Sequence, residues 1–236
     1  MAIVTQNFRC GPRLDYDDSD WFESRVSDLG HINPSLEFWL KDNASSYNNA
    51  IVVGAGFGLS SKLLIDAGAT VTSLEPVDSR YTLLESNVPE SNNINKGVGA
   101  LPGTEVIYYN SDNKSGAVVD KEVGLLTEEV EVVTIDSLGL SPDLMIIYAN
   151  GKEMEVLDGA SQTIADNASC KIIVRWVPDK FEDIDVAFNK LTALGKTVSI
   201  IHWEESGDEI SLKPQLNDVE PNDNLKAVNT ADLLLE

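Results

Sequence analysis

The sequence predicts an α/β protein of three layers, a mostly parallel sheet with helices on both faces. Two observations carry this. Between about Ala50 and Trp203, short β-branched runs alternate with segments of helical periodicity, the pattern of successive βα units. The first such run, Ile51-Val52-Val53, passes directly into Gly54-Ala55-Gly56-Phe57-Gly58 before a helix begins, a turn that brings backbone amides to the sheet edge.

Taken in order, a short helix is expected around Ser35 to Lys41, then strands near Ala50 to Val53, Thr70 to Leu74, Asn95 to Val98, Val130 to Ile135, Leu144 to Tyr148, Lys171 to Val177 and Thr197 to Trp203. Each is rich in Val, Ile or Leu and bounded by polar or turn residues. A helix follows the first strand from Leu59-Ser60 to Gly68, with Leu63, Leu64 and Ala67 toward the sheet, and a second spans Ser79 to Val88. A third covers Lys152 to Ala165 and buries Met154, Val156, Leu157, Ala160 and Ile164. A fourth follows Asp179 up to Leu194 and is closed by Gly195. Beyond Trp203, strands are expected at Glu209 to Leu212 and Asp232 to Leu235, with Pro214 to Asn224 as loop.

Charge divides the chain into three parts. Residues 1–49 form an N-terminal acidic extension with eight acidic and four basic residues, 50–203 form the α/β domain, and 204–236 hold nine acidic and two basic residues in strands and loop that complete the sheet or pack on it. The 236 residues carry 17 Lys+Arg against 39 Asp+Glu, a net charge of -22. A polyanion repels a polyanion, so nucleic acid is excluded as an expected partner, and anionic membrane surfaces with it. With 42% hydrophobic residues the chain has material for a core, and its longest apolar runs, such as Leu144 to Ile147, are too short to cross a bilayer. No charged-then-apolar leader opens the sequence, which makes the cytoplasm the expected location and the sequons at Asn43, Asn113 and Asn167 chance matches. The two cysteines, Cys10 and Cys170, are too far apart and too few for a disulfide framework or a metal site and read as buried thiols.

The candidate site centres on the glycine loop. Glycines at alternate positions leave no Cβ in the way of a ligand, and the amides of the following helix favour a negatively charged or carboxylate-bearing group. The second strand ends Leu74-Glu75-Pro76, which puts a carboxylate at the sheet edge roughly 20 residues after the loop, where it can accept from both hydroxyls of a ribose. Gly54, Ala55, Gly56, Gly58 and Glu75 are therefore the candidate cofactor-binding residues. No metal-binding set is indicated.

Val53-Gly54-Ala55-Gly56-Phe57-Gly58-Leu59 together with Leu74-Glu75-Pro76 resembles the cofactor motif of class I S-adenosylmethionine-dependent methyltransferases. Val132-Val133-Thr134-Ile135-Asp136-Ser137-Leu138 and the stretch from Asp143-Leu144-Met145 to Gly159-Ala160 are similar to segments of the FkbM-like family within that class. The resemblance covers about residues 50 to 203. It implies a Rossmann-like fold with a seven-stranded, mainly parallel sheet, S-adenosylmethionine over the C-terminal edges of the first strands, and O-methylation of a small hydroxylated acceptor such as a sugar.

The chain departs from the family at polar positions. Val52 stands where the family carries an acid two residues before the first loop glycine, and Gly56 where it carries Asn. The family's Asp-Val-Glu-Gly reads Tyr148-Ala149-Asn150-Gly151, and its Lys two residues before that Asp is Ile146. Tyr148 and Asn150 are poor bases, so no catalytic residue is assigned. His202 at a strand end is a substitute base or a solvent-facing side chain, and Asp136 orients a ligand or caps a turn.

A second reading stays open: a catalytically degenerate methyltransferase fold serving as a structural or interaction module, with protein partners or as a homo-oligomer, in a large assembly such as a virus particle. In that case side chains such as Phe57 or Tyr148 would fill the cofactor pocket. A nicotinamide-dependent dehydrogenase shares the glycine loop but leaves Thr134–Leu138 and Asp143–Ala160 unexplained. The run Asp15-Tyr16-Asp17-Asp18-Ser19-Asp20 has oxygen ligands at alternate positions, but Asp20 stands where a calcium loop needs Gly and Val26 where it needs Glu, so a solvated acidic segment is expected.

Overall fold

The computed structural model describes residues 2–20, 23, 24, 26, 30–110, 112–119, 126–203, 214–218 and 230–236, with the backbone alone described at 115, 116, 118, 119, 202, 203 and 214–218. Along the chain lie β1 (Ile3–Asn7), β2 (Arg13–Asp17), α1 (Pro34–Asn43), β3 (Asn49–Val53), α2 (Leu59–Asp66), β4 (Thr70–Leu74), α3 (Asp78–Asn87), β5 (Asn92–Ile94), β6 (Gly97–Val98), β7 (Gly103–Asn110), β8 (Asn113–Val119) and β9 (Leu126–Val133). They are followed by β10 (Leu144–Ile147), α4 (Glu153–Asp158), α5 (Ser161–Asp166), β11 (Lys171–Trp176), α6 (Ile184–Ala193), β12 (Val198–Trp203), β13 (Pro214–Asp218) and β14 (Ala231–Leu235).

The central sheet runs β5-β4-β3-β10-β11-β14-β12, with β13 added at the β12 edge. The pairs from β5 to β11 are parallel and those involving β14, β12 and β13 antiparallel. Side chains alternate across it. Along β10, Leu144 and Ile146 join a cluster with α1, α2 and α3, while Met145 and Ile147 join one with α4, α5 and α6. Covered on both faces, β3, β10 and β11 bury nearly every side chain, which is why they read as unbroken apolar runs.

Several expectations change in detail. The run from Asn95 to Val98 does not form one strand: β5 closes the central sheet, and β6 leaves it to pair with β9 in a second sheet of order β6-β9-β7-β8. The Val130 to Ile135 run belongs to that second sheet as β9, and the seventh strand of the central sheet is β14, held between β11 and β12. The helix expected over Lys152 to Ala165 is two, α4 and α5, separated at Gly159, whose backbone sits so close to Gly99 that a Cβ would lie 2.1 Å from the Gly99 carbonyl oxygen. The helix after Asp179 starts at Ile184, because the Asp183 side chain accepts from the amides of Asp185 and Val186 and caps it there. Pro214 to Asp218, expected as loop, is a strand paired with β12; the strand expected at Glu209 to Leu212 lies outside the described residues. Cys10 and Cys170 are both buried free thiols.

The acidic N-terminal cluster is solvated only in part: Asp18 is exposed and Asp15 half-buried, whereas Asp17 and Asp20 are buried. Asp17 and Asp20 are 2% and 1% exposed. Asp17 accepts from the Ala2 amide at 3.0 Å, from Ser19, and from Lys114 Nζ at 2.9 Å, and Asp20 accepts from the Lys114 amide at 2.7 Å. Burial by itself would raise the Asp17 carboxyl, but the hydrogen bonds from Ser19, Lys114 and the amides outweigh it and hold the group below the usual carboxylate range. Among the described residues no group of three or more His, Cys, Asp or Glu is placed to hold a metal ion, and no helix is long and apolar enough to cross a membrane.

The β1–β2 hairpin lies against the glycine loop. Phe8, Leu14 and Tyr16 share a cluster with Phe57 and Leu59, with the Phe8 and Phe57 rings 5.7 Å apart. Asn87 ties the two segments: its Nδ2 donates to the carbonyls of Asp15 at 2.7 Å and Phe57 at 2.8 Å, and its Oδ1 accepts from the Asp15 amide at 2.8 Å.

Lys114→Met strands Asp17 as a buried carboxylate with its cation removed, and is expected to lower stability at pH 7 by about 2–4 kcal/mol in urea unfolding. Because the folded Asp17 value is depressed, its contribution is complete above the unfolded value near pH 4 and is lost as pH falls through the folded one. The gap between Asp17→Asn and the unaltered protein should therefore narrow on going from pH 6 to pH 3; a constant gap would contradict the assignment.

Candidate functional site

The site forms where four parallel strands end side by side. The amides of Gly54 and Ala55 both donate to the Leu74 carbonyl, at 2.9 and 3.0 Å, the Glu75 amide to Ile94, and the Tyr148 amide to Val53 at 3.0 Å. The ends of β3, β4, β5 and β10 are thus joined. Gly54 has φ +70°, and a Cβ there would lie 1.9 Å from the Tyr148 carbonyl oxygen, so the close approach of β3 and β10 requires glycine. Gly56, at φ +60°, faces the Arg80 guanidinium, 2.3 Å from where its Cβ would be. Gly58 is the N-terminal cap residue of α2, and Ala55 is buried between these glycines.

Glu75 is 4% exposed and braces the loop from below. Its Oε2 accepts from the Gly56 amide at 2.8 Å and its Oε1 from the Val77 amide at 3.0 Å. An ionised carboxylate offers about four lone-pair sites, so each oxygen keeps capacity for one further donor. Arg80 links the loop to the N-terminal segment through an ion pair with Glu23 at 3.2 Å. Burial disfavours the Arg80 charge, but Glu23, Glu75, Asp20 and Asp17 more than restore it.

Above these strand ends lies a cavity of about 650 Å³. All five candidate residues border it except Gly58: Gly54, Ala55, Gly56 and Glu75 form one side. The second sheet roofs it through Ile107, Val130 and Val132, and Ile32, Asn33 and Glu37 close it from the start of α1. The far side is the turn after β10, where Tyr148 and Asn150 stand. That turn is clamped by Glu153, which accepts from the amides of Ala149 and Gly151 at 2.9 Å each. Asn150 takes φ +51°, a left-handed conformation that Asn tolerates, and its Nδ2 donates to the Ala117 carbonyl of the second sheet.

Tyr148 does not fill the cavity. Its hydroxyl donates to Asp232 Oδ1 at 2.5 Å and accepts from Asn33 Nδ2 at 2.8 Å, while Arg175 donates to the same Asp232 oxygen at 3.0 Å and Asn33 also reaches Asp232 Oδ2. Burial, reinforced by the Asp232 charge, holds the Tyr148 phenol well above its ordinary value, so it is no base near neutral pH. Phe57 turns into the cluster with Phe8 while still bordering the cavity. Glu37 is a residue that sequence reasoning missed. It is 3% exposed, its Oε1 accepts from the amides of Ile32 and Asn33 at 2.7 Å, and the buried Cys10 thiol hydrogen-bonds to its carboxyl. Burial raises its carboxyl despite those two amides. A Glu four residues after Asn33-Pro34 reads as an ordinary first-turn helix acid, which conceals this role.

The other singled-out residues lie elsewhere. Asp136 accepts from the amides of Gln162 and Thr163 at 3.1 and 2.8 Å and caps α5 away from the cavity. The backbone of His202 is in β12, paired with Gln215, and its side chain lies outside the described residues.

No family model matches the sequence, and no curated protein matches it. Solved structures do. The methyltransferase FkbM from Methylobacillus flagellatus KT superposes with a TM-score of 0.51 at 13% identity, over 91% of this chain and 58% of that one. A TehB-like SAM-dependent methyltransferase from Corynebacterium glutamicum gives 0.47 at 12%, over 91% and 92%, and Trm5b from Pyrococcus abyssi gives 0.48 at 12%, over 100% and 55%. This chain therefore spans 58% of the length of the FkbM protein it resembles. The fold is the Rossmann-like class I methyltransferase fold.

Gly54→Ala places a methyl group against a backbone oxygen at a left-handed position, and is expected to cost about 2–4 kcal/mol, read as a fall in melting temperature. Gly68→Ala is the reference: its φ is +101°, but nothing lies within 4 Å of the added Cβ, so only the conformational part is lost. Equal effects at the two positions would rule out the close approach as the cause.

Proposed function

We propose that the protein is an S-adenosylmethionine-dependent methyltransferase acting on the hydroxyl oxygen of a small acceptor such as a sugar. The observation that carries this is one cavity of about 650 Å³ reaching from the glycine loop and Glu75 to the polar turn at Tyr148 and Asn150. Its volume lies within the roughly 300–1,000 Å³ of small-ligand sites, and methyl transfer needs donor and acceptor aligned in one enclosed space. The residues fit the cofactor: Gly54, Ala55 and Gly56 line the loop side without side chains to block it, and the spare lone pairs of Glu75 suit ribose hydroxyls. Gly58 holds the turn into α2.

The bound cofactor supplies an electrophilic methyl group; the rest is the work of the chain. Asn33 and Tyr148, fixed by Asp232 behind them, form a polar wall that orients the acceptor beneath the second sheet. Glu37 holds the Ile32–Asn33 side of that wall in place through their amides.

A second reading has its own observation. Both Glu75 oxygens already bond the chain's own amides, and Arg80 stands over Gly56, so the loop is held together without a ligand, as a structural or interaction module of a large assembly would need. Calorimetric titration with S-adenosylhomocysteine separates the two. Micromolar binding, weakened at least about tenfold in a Glu75→Ala variant that still melts cooperatively, is expected for the enzyme. Absence of binding at millimolar ligand would leave only the module.

A further inference from the structure

Asn33, Tyr148 and Asn150 border the cavity around the turn after β10, and the last two are engaged within the chain. The Tyr148 hydroxyl gives its proton to Asp232 Oδ1 and accepts from Asn33 Nδ2, and Arg175 bonds it as well. Asn150 donates through Nδ2 to the Ala117 carbonyl at 3.0 Å and accepts through Oδ1 from Lys180 Nζ at 3.1 Å. The Asn33 amide is different, and its orientation is fixed. Asp232, ion-paired with Arg175 at 3.0 Å, offers only acceptors, so the Asn33 atom 2.8 Å from Asp232 Oδ2 is the nitrogen. Both hydrogens of that nitrogen are spent, one on Asp232 and one on the Tyr148 hydroxyl, also at 2.8 Å. Its Oδ1 accepts from no N–H or O–H group among the described residues.

The position of Asn33 makes the unengaged oxygen more telling. Asn33 is the N-terminal cap residue of α1, where an Asn oxygen ordinarily accepts from an amide of the first turn, yet here the side chain makes no capping bond. A stabilising contact is forgone so that the amide can stand between Tyr148 and Asp232 with its oxygen left over. Such an oxygen is completed by an O–H or N–H donor and gains nothing from an ether, a carbonyl or an oxyanion. A ligand that displaces water from it without supplying a donor loses affinity. We infer that Asn33 determines specificity at this end of the cavity: its Oδ1 accepts from a hydroxyl of the bound molecule, and so selects a neutral, hydroxyl-bearing substrate. That this molecule is a methyl acceptor rests on the methyltransferase reading; the contact itself does not.

The test titrates glucose and its monodeoxy analogues into the full chain, with and without saturating S-adenosylhomocysteine, and repeats the series in Asn33→Ala and in Asn33→Leu, which keeps the bulk of the side chain. Glucose is expected to bind at millimolar concentration, and at least one analogue, lacking the hydroxyl that reaches Asn33, to bind about five- to tenfold more weakly. In whichever variant melts cooperatively, glucose is expected to fall to the level of that analogue, so that the difference between the two disappears. A difference that survives in the variants, analogues that all match glucose, or no binding of glucose would overturn the inference. If S-adenosylhomocysteine still binds in that case, the methyltransferase reading stands without it. Discrimination that is lost in the variants of a protein that ignores S-adenosylhomocysteine would support the Asn33 contact and remove the methyltransferase reading instead.

Discussion

The contact on which the rest of the site depends is between Gly54 and the carbonyl of Tyr148. With room for no Cβ at position 54, the ends of β3 and β10 come together tightly enough for the Tyr148 amide to reach Val53, and the loop amides then reach back to β4. From that junction follow the position of Glu75 under the loop and the direction in which the Tyr148–Gly151 turn leaves the sheet. The cavity is the space left between a loop and a turn that cannot move apart without breaking the ladder below them.

The departures from the FkbM-like pattern become intelligible as pairs rather than as separate losses. Val52 and Ile146, which replace an acid and a Lys of the family, are register partners on β3 and β10, and both are buried. Two apolar side chains side by side leave no buried charge to be matched at this point of the sheet. At Tyr148, where the FkbM-like pattern carries an Asp, the phenol reaches Asp232 on β14, so a carboxylate stands behind this corner of the site from two strands away. The polar wall there is held together by Asn33, Tyr148 and Arg175 around that carboxylate.

How much of this the sequence discloses depends on separation along the chain. The strands buried on both faces, β3, β4, β10 and β11, announce themselves as β-branched runs, and the loop with Glu75 is a local signature that the structure places on one cavity. The second sheet is harder to read: Val106, Ile107, Tyr108 and Tyr109 are apolar in succession, so the alternation that marks a half-exposed strand is hidden. Asp17 and Asp20 read as solvated because their partner, Lys114, is about a hundred residues away, and nothing near them in sequence suggests a buried cation. Asp232 and Arg175 escape notice for the same reason: each looks like an ordinary charge on a strand until β14 inserts beside β11 and makes them register partners.

The N-terminal hairpin and the net charge belong to one electrostatic arrangement. A chain of net charge -22 repels anions at long range, but that field is screened within about 8–10 Å at physiological salt, so what an incoming ligand meets at contact is the wall itself. There the acids of the hairpin segment are spent internally, Asp17 on Lys114 and Glu23 on Arg80, behind the cations rather than among them. Their burial requires those cations, and the cations in turn are held facing the cavity. The same ion pairs thereby fasten the first residues of the chain over the glycine loop.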